Sequence, residues 1–230
     1  MNRLTAKRHE NFRQRTSLAV TLVGLGLLLV LAGCGGTTTV NADFAVPAVP
    51  HPATGGVPWN RPDNTLALTV KAGLVPERYE HLTYHVHAHL DVWVNGKRVT
   101  VPAGIGINIR DKGVNTFTNS DGSKAYGGIS MCNKPCISPL HTHDTTGVLH
   151  TESATPRPNT LGEFFTEWGV RLTRACAGGY CRPDSIRWYV DGKRYTGNPA
   201  SIQLSNHKEI ALVIGSPPKS IPSSYDFSNI

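Results

Sequence analysis

The sequence predicts a mainly β fold: an antiparallel β-sandwich or partly open barrel, with two tight hairpins and one short helix. Three observations predict it. Tyr84–Val94 (YHVHAHLDVWV) alternates with period two, the spacing that sends successive side chains to opposite faces of a strand. Asn95-Gly96 and Asp191-Gly192 each interrupt two strand-like runs, and both pairs tolerate the positive φ that a two-residue hairpin turn requires. Only residues 160–169 carry both a helix start and a helix stop signal.

In chain order, the first element is a leader. Arg3, Lys7, Arg8, Arg13 and Arg15 stand against a single Glu10, and Leu18–Ala32 then runs without charge. A positive segment before an apolar one is the pattern of a secretory signal peptide. As a helix the apolar run would rise only about 22 Å, short of the roughly 30 Å hydrocarbon core, so a permanent span is the poorer reading. Leu31-Ala32-Gly33-Cys34 resembles the bacterial lipobox, in which small residues admit a peptidase to the bond before a lipid-modified cysteine. The resemblance implies that residues 1–33 are removed and that Cys34 becomes an acylated N-terminus. Two or three acyl chains, at roughly 0.8 kcal/mol per buried methylene, would anchor the protein stably to a membrane it does not span.

Residues 34–62 are rich in Gly, Thr, Ala and Pro and read as a tether, whose coil span would be roughly 30 Å. Residues 63–230 then form a single domain. Leu66–Val70 (LALTV) alternates modestly and reads as a strand. Tyr84–Val94 and Lys97–Val101 form the first hairpin, and Ser185–Val190 and Lys193–Thr196 the second. Ile210–Ile214 reads as another buried strand. The local likeness of VNGKRVT to VDGKRYT marks the two hairpins as equivalent devices, although so short a match does not establish a duplication. In the helix, Thr160-Leu161-Gly162-Glu163 is a capping box, Leu161, Phe164, Phe165 and Trp168 share a face, and Gly169 closes the turn.

Charge and cysteine usage narrow the functional classes. Loss of residues 1–33 removes five basic residues and one acidic residue, so the net charge of +7 falls to +3. A nucleic-acid-binding function based on the basic balance is thereby excluded, and no basic cluster interleaves with aromatics. With Cys34 used for lipid, Cys132, Cys136, Cys176 and Cys181 remain, an even number in a compartment that permits disulfides. Local pairs and a cross-link between the two loops are both open. A four-cysteine zinc site is the poorer alternative, because CxxxC and CxxxxC are not the tight CxxC knuckles such sites favour.

The chemistry concentrates in histidine. His85, His87 and His89 project from one strand face while Val86, Ala88 and Leu90 project from the other. Neighbours along that row lie roughly 6.6 Å apart, so a ligand from another strand is needed to complete a metal site. LHTHDTTGVLHTES supplies candidates: His141, His143 and His150, with Gly147 offering a turn that brings His150 back towards the first two. Asp144 and Glu152 stand nearby and are read as carboxylates that orient the rings by accepting their other N–H. A lone histidine would more simply satisfy a core hydrogen bond, but this concentration points to a transition metal. All-nitrogen ligation with only Met1 and Met131 argues against a Met-rich copper(I) carrier and fits copper(II) or zinc. His81 is a fringe position, and His207 reads as surface.

HxHxHLDVWVNGK, PAGIGI, CxxxLHTHDxxGxxHxES, TLGEFFxxWG and HKEIALVIG together resemble an uncharacterised family of exported bacterial and archaeal proteins, over roughly residues 80 to 215. The resemblance implies an intact functional histidine set and no particular reaction; Cys176 and Cys181 fall outside its pattern. The expectation from sequence is a lipid-anchored extracytoplasmic protein, on the cell membrane, that binds copper or zinc. A metalloenzyme, either an oxidative copper enzyme or a zinc hydrolase with Glu152 or Asp144 as general base, is the alternative, although HExxH and GxSxG are absent. A structural or cell-wall-binding module ranks last.

Overall fold

The computed structural model describes residues 59–228 and 230, all of them within one compact unit. The leader, Cys34 and most of the tether lie outside the described residues. Nine strands and two α-helices follow in order: α1 (Thr65–Lys71), β1 (Tyr84–Val94), β2 (Lys97–Val99), β3 (Asn115–Thr118), β4 (Lys124–Gly127), β5 (Leu140–His141), β6 (Val148–Ser153), α2 (Leu161–Glu167), β7 (Ile186–Val190), β8 (Lys193–Tyr195) and β9 (Lys208–Ile214). The fold is mainly β. Among the described residues no helix is long and apolar enough to cross a membrane.

The main sheet runs β5-β6-β1-β9-β7-β8, with β2 added to β1, and β3 and β4 make a separate two-stranded sheet. The end strands β5 and β8 do not pair with each other, so the sheet stays open rather than closing into a barrel. Every pairing is antiparallel except β1 with β9, which run parallel. Both hairpin turns form as their residues demand: Asn95 and Gly96 adopt φ of 50° and 76°, Asp191 and Gly192 of 50° and 72°, the two positive values of a type I′ turn. The two hairpins flank β9.

One face of the main sheet builds the core. Ala88, Leu90, Val92 and Val94 of β1 bury beside Ile210, Leu212 and Ile214 of β9, against Leu161, Phe164, Phe165 and Trp168 of the α2 region. The capping box forms: Thr160 Oγ1 accepts the Glu163 amide at 3.3 Å, and Glu163 Oε2 accepts the Thr160 amide at 2.7 Å. Trp59, which composition places in the tether, is buried with this core, and its carbonyl accepts Trp168 Nε1–H at 3.2 Å.

Leu66–Val70 is helical, not a strand. Thr65 and Thr69 are its buried positions, one helical turn apart, whereas Val70 points to solvent. The apparent alternation of LALTV came from apolar residues that do not share one buried face.

A second, smaller core gathers Ile107, Val114, Ile129 and Ile137 around Cys132 and Cys136. The four cysteines pair locally, Cys132 with Cys136 and Cys176 with Cys181. The first of these bridges lies just before β5, so it braces the segment that delivers His141.

Candidate metal centre

The face of β1 opposite the core carries His85, His87, His89 and Asp91 in a row. Pairing supplies the rest of the site. Register sets His87 beside His150 and His85 beside Glu152 on β6, and sets His150 beside His141 on β5. Paired residues on adjacent strands lie about 5 Å apart with their side chains on the same face. Three adjacent strands therefore line up His87, His150 and His141, and His143 follows two residues beyond.

Glu152 stands in the middle of this group. Its Oε1 lies 3.1 Å from His85 Nε2, 3.4 Å from His150 Nδ1, 3.7 Å from His141 Nε2 and 3.9 Å from His143 Nε2. Sequence reasoning placed Glu152 behind the histidines; the geometry places it among them. His141, His143, His150 and Glu152 each present one donor atom, all within 4.8 Å of one another, and His85, His87 and His150 do the same.

The outer nitrogens of two rings are already committed. His141 Nδ1 donates to the Ser138 carbonyl at 2.9 Å, and His143 Nδ1 donates to the Tyr126 carbonyl at 2.5 Å. In the neutral rings both Nε2 atoms are then unprotonated, yet they face each other at 3.2 Å. Two lone pairs that close repel unless a proton or a metal cation sits between them. Four donors around a tetrahedral ion at 2.0–2.1 Å would be roughly 3.3 Å apart, which the separations of 3.2, 3.4, 3.7 and 3.9 Å approach. His150 Nδ1 and Glu152 Oε2 are also buried without a hydrogen-bond partner. The donor set fits a metal ion.

Electrostatics keeps His141, His87, His150 and Glu152 in ligand-ready states and favours the protonated form of His143, whose proton a metal would displace. Burial pushes the His141 imidazole down to about 3, against the opposing pull of Glu152. Burial, with the nearby His150 and His85, pushes His87 down to about 4. Burial also lowers His150. For His143 burial is outweighed by Glu152 and the Tyr126 carbonyl, and its value rises. Glu152, despite burial, is held well below the usual carboxylate range by His141, then by His143 and His150. Neutral imidazole and ionised carboxylate are the forms that bind metal.

No family model, curated protein or solved structure matches the chain. The donor set must carry its own assignment.

His89 lies on the same row but outside this group, in a second cluster with Asp91 and Glu209 whose donor atoms are also within 4.8 Å of one another. Here both ring nitrogens are occupied: Nδ1 meets Glu209 Oε2 at 2.7 Å and Nε2 meets the Thr146 carbonyl at 2.9 Å. Arg98 Nε sits 2.9 Å from Asp91 Oδ1, and Tyr225 stacks on the His89 ring at 3.9 Å. Arg98 supplies the positive charge that a metal would bring, so this cluster reads as a closed network that braces the sheet.

Asp144 touches no histidine ring; its Oδ1 accepts the Thr146 amide and hydroxyl and so shapes the turn into β6. His81 pairs loosely with Glu77 at 3.7 Å and meets the Tyr79 ring at a tilt of 47°, and His207 is exposed and stacks on Phe227. Neither joins the centre.

Three contributors had no sequence signal. The Tyr126 carbonyl orients His143 from the β3–β4 hairpin, and a backbone acceptor leaves no mark in residue type. Glu80, which lines the site, belongs to no motif; its Oε1 is buried without a partner, and burial raises its carboxyl. Leu82, Phe117, Tyr126 and Ile230 wall a cleft of about 300 Å³ that also exposes His85, His87 and His143. Its assembly depends on segments far apart in the chain.

Proposed function

We propose that the chain is an exported, lipid-anchored protein that binds copper or zinc at the outer face of a membrane. The facing Nε2 atoms of His141 and His143, with both Nδ1 atoms committed to carbonyls, are the observation that supports metal binding most directly. His141, His143, His150 and Glu152 hold the ion. Nitrogen-rich ligation without methionine favours copper(II) or zinc, and the general affinity order of divalent ions favours copper wherever it is present. The membrane anchor rests on the lipobox-like LAGC ending at Cys34; Gly35 after it, by resemblance to sorted lipoproteins, carries no inner-membrane retention signal.

A metalloenzyme is the second reading, favoured by the cleft. A carrier has no need of an apolar-walled chamber opening onto its ligands, whereas a substrate does. In that reading the metal would activate a bound water or substrate oxygen, and Glu80, with an unpartnered oxygen in the same cleft, would take the proton. Glu152 is occupied among the ligands and Asp144 by its turn.

Metal analysis of the full chain, purified in detergent from the membranes of an exporting host and equilibrated with zinc(II) or copper(II), tests the assignment. Stoichiometric metal surviving desalting, lost in His141→Ala/His143→Ala, is expected. A folded chain that retains neither ion overturns it. Radiolabelled palmitate incorporated into the wild type and not into Cys34→Ser is expected for the anchor, and equal labelling of both overturns it.

A further inference from the structure

The four donors assigned to one ion leave two histidines of the same cluster unused. His85 and His87 have Nε2 atoms 2.8 Å apart, and His85 Nε2 is also 3.1 Å from Glu152 Oε1. One ring nitrogen carries one proton at most, so His85 Nε2 cannot donate to both neighbours at once. The cluster holds five imidazoles and one carboxylate, more than a single four-coordinate ion uses.

We propose that the pocket is a two-ion centre: an inner ion on His141, His143, His150 and Glu152, and an outer ion on His85, His87 and the same His150, with Glu152 shared between them. This rests on the metal assignment above and extends it. His150 occupies the position a common ligand needs. Its strand lies between β5 and β1, and register sets it beside His141 on one side and His87 on the other. Its ring centre is 4.3 Å from His143 and 4.5 Å from His87. A neutral imidazole offers one lone pair, so His150 serves two ions as the imidazolate, its remaining ring proton passing to solvent as the second ion binds. Glu152 is likewise within 3.1 Å of the His85 nitrogen and within 3.9 Å of both His141 and His143.

The two positions differ in access. His141 is wholly buried and takes no part in the cleft, whereas His85 and His87 line it with Glu80. Every histidine of the outer ion lines the chamber walled by Leu82, Phe117 and Ile230, whereas the inner ion has His143, His150 and Glu152 on that side and the buried His141 behind them. The two dications need more negative charge than Glu152 alone supplies, and Glu80 provides a second carboxylate on the cleft side. The outer ion is therefore the one that exchanges or receives a small exogenous ligand through the cleft.

Native mass spectrometry of the full chain in detergent, titrated with zinc(II) and separately with copper(II), reads the stoichiometry. Two equivalents are expected at saturation, falling to one in His85→Gln/His87→Gln, with the retained inner ion reporting that the variant is folded. A brief exposure to chelator should strip the wild type to one equivalent and leave the double variant unchanged. Saturation at one equivalent, or an unchanged two in the double variant, overturns the two-ion centre and leaves the metal assignment standing; no bound metal overturns the assignment itself. With copper(II), a shared ligand couples the two spins, so the paramagnetic signal per copper in the wild type should fall at least twofold below that of the double variant. Equal signal per copper overturns the sharing.

Discussion

The backbone of Gly147 meets that of Leu90 at close range: the Gly147 carbonyl accepts the Leu90 amide at 2.9 Å, and a Cβ on Gly147 would fall 2.6 Å from the Leu90 carbonyl oxygen. With φ at +96°, residue 147 also occupies a region that only glycine visits cheaply. This contact starts β6 beside β1, and so decides which residues stand opposite His87 and His85. Gly147→Ala should cost about 2 kcal/mol or more from backbone strain and the clash together. Chemical denaturation checks the loss. A variant as stable as the wild type would show that the turn does not set the register.

The metal should stabilise the fold that assembles its ligands. A ligand present at 100 times its dissociation constant adds about 2.7 kcal/mol to a native state that alone binds it. Zinc(II) or copper(II) should therefore raise the melting temperature of the wild type by several degrees. His141→Ala/His143→Ala should lose that increment. Differential scanning calorimetry with and without each ion makes the comparison, and an undiminished increment in the double variant would move the site elsewhere.

His89→Ala should behave in the opposite way. It leaves Glu209, whose carboxyl burial raises, without its hydrogen-bond partner, and a buried polar group left unsatisfied costs about 1–3 kcal/mol. The donors around Glu152 are untouched. The expected outcome is a loss of stability with an unchanged number of bound ions, measured by denaturation and metal analysis on the same preparation. A fall in bound metal would instead place an ion in the His89 cluster.

Glu167, on the core side of the fold, predicts a pH dependence independent of the metal. Burial pushes its carboxyl up to about 8 from an ordinary value of 4.5, against smaller opposing contributions from Ser138 and Thr69. The native state thus holds a proton that the unfolded chain releases above pH 4.5. Its contribution is greatest below that pH and is lost as pH rises towards 8, at about 1.4 kcal/mol per unit for one proton. Glu167→Gln should flatten this part of the stability curve and be the more stable form at pH 8. Parallel urea titrations of both proteins between pH 5 and 8.5 measure the difference, and identical slopes would mean that Glu167 ionises without cost.

Local pattern carried much of this protein. Alternation in YHVHAHLDVWV was enough to set His85 and His87 on one face and Leu90 and Val92 on the other, because side-chain direction in a strand depends only on residue parity. Asn95-Gly96, Asp191-Gly192 and the Thr160–Glu163 capping box were equally legible, since each is a short-range contest between backbone conformation and one or two side chains. LALTV was misread because a short apolar run satisfies both periodicities, and only packing of α1 against α2 chose the helix.

What parity could not determine was which of the aligned histidines would work together. His87 and His89 are two residues apart on the same face, yet one faces His150 and the other Glu209. That division follows from β6 lying on one side of β1 and β9 on the other, pairings between segments about 60 and 120 residues away along the chain. Strand register over such distances is set by the packing of whole faces and by turns such as Gly147, not by any local sequence. The same non-local assembly brought Glu152 to the centre of the ring and laid the Tyr126 carbonyl against His143. Sequence alone named the histidines; the order of strands in the sheet decided which of them stand together around Glu152.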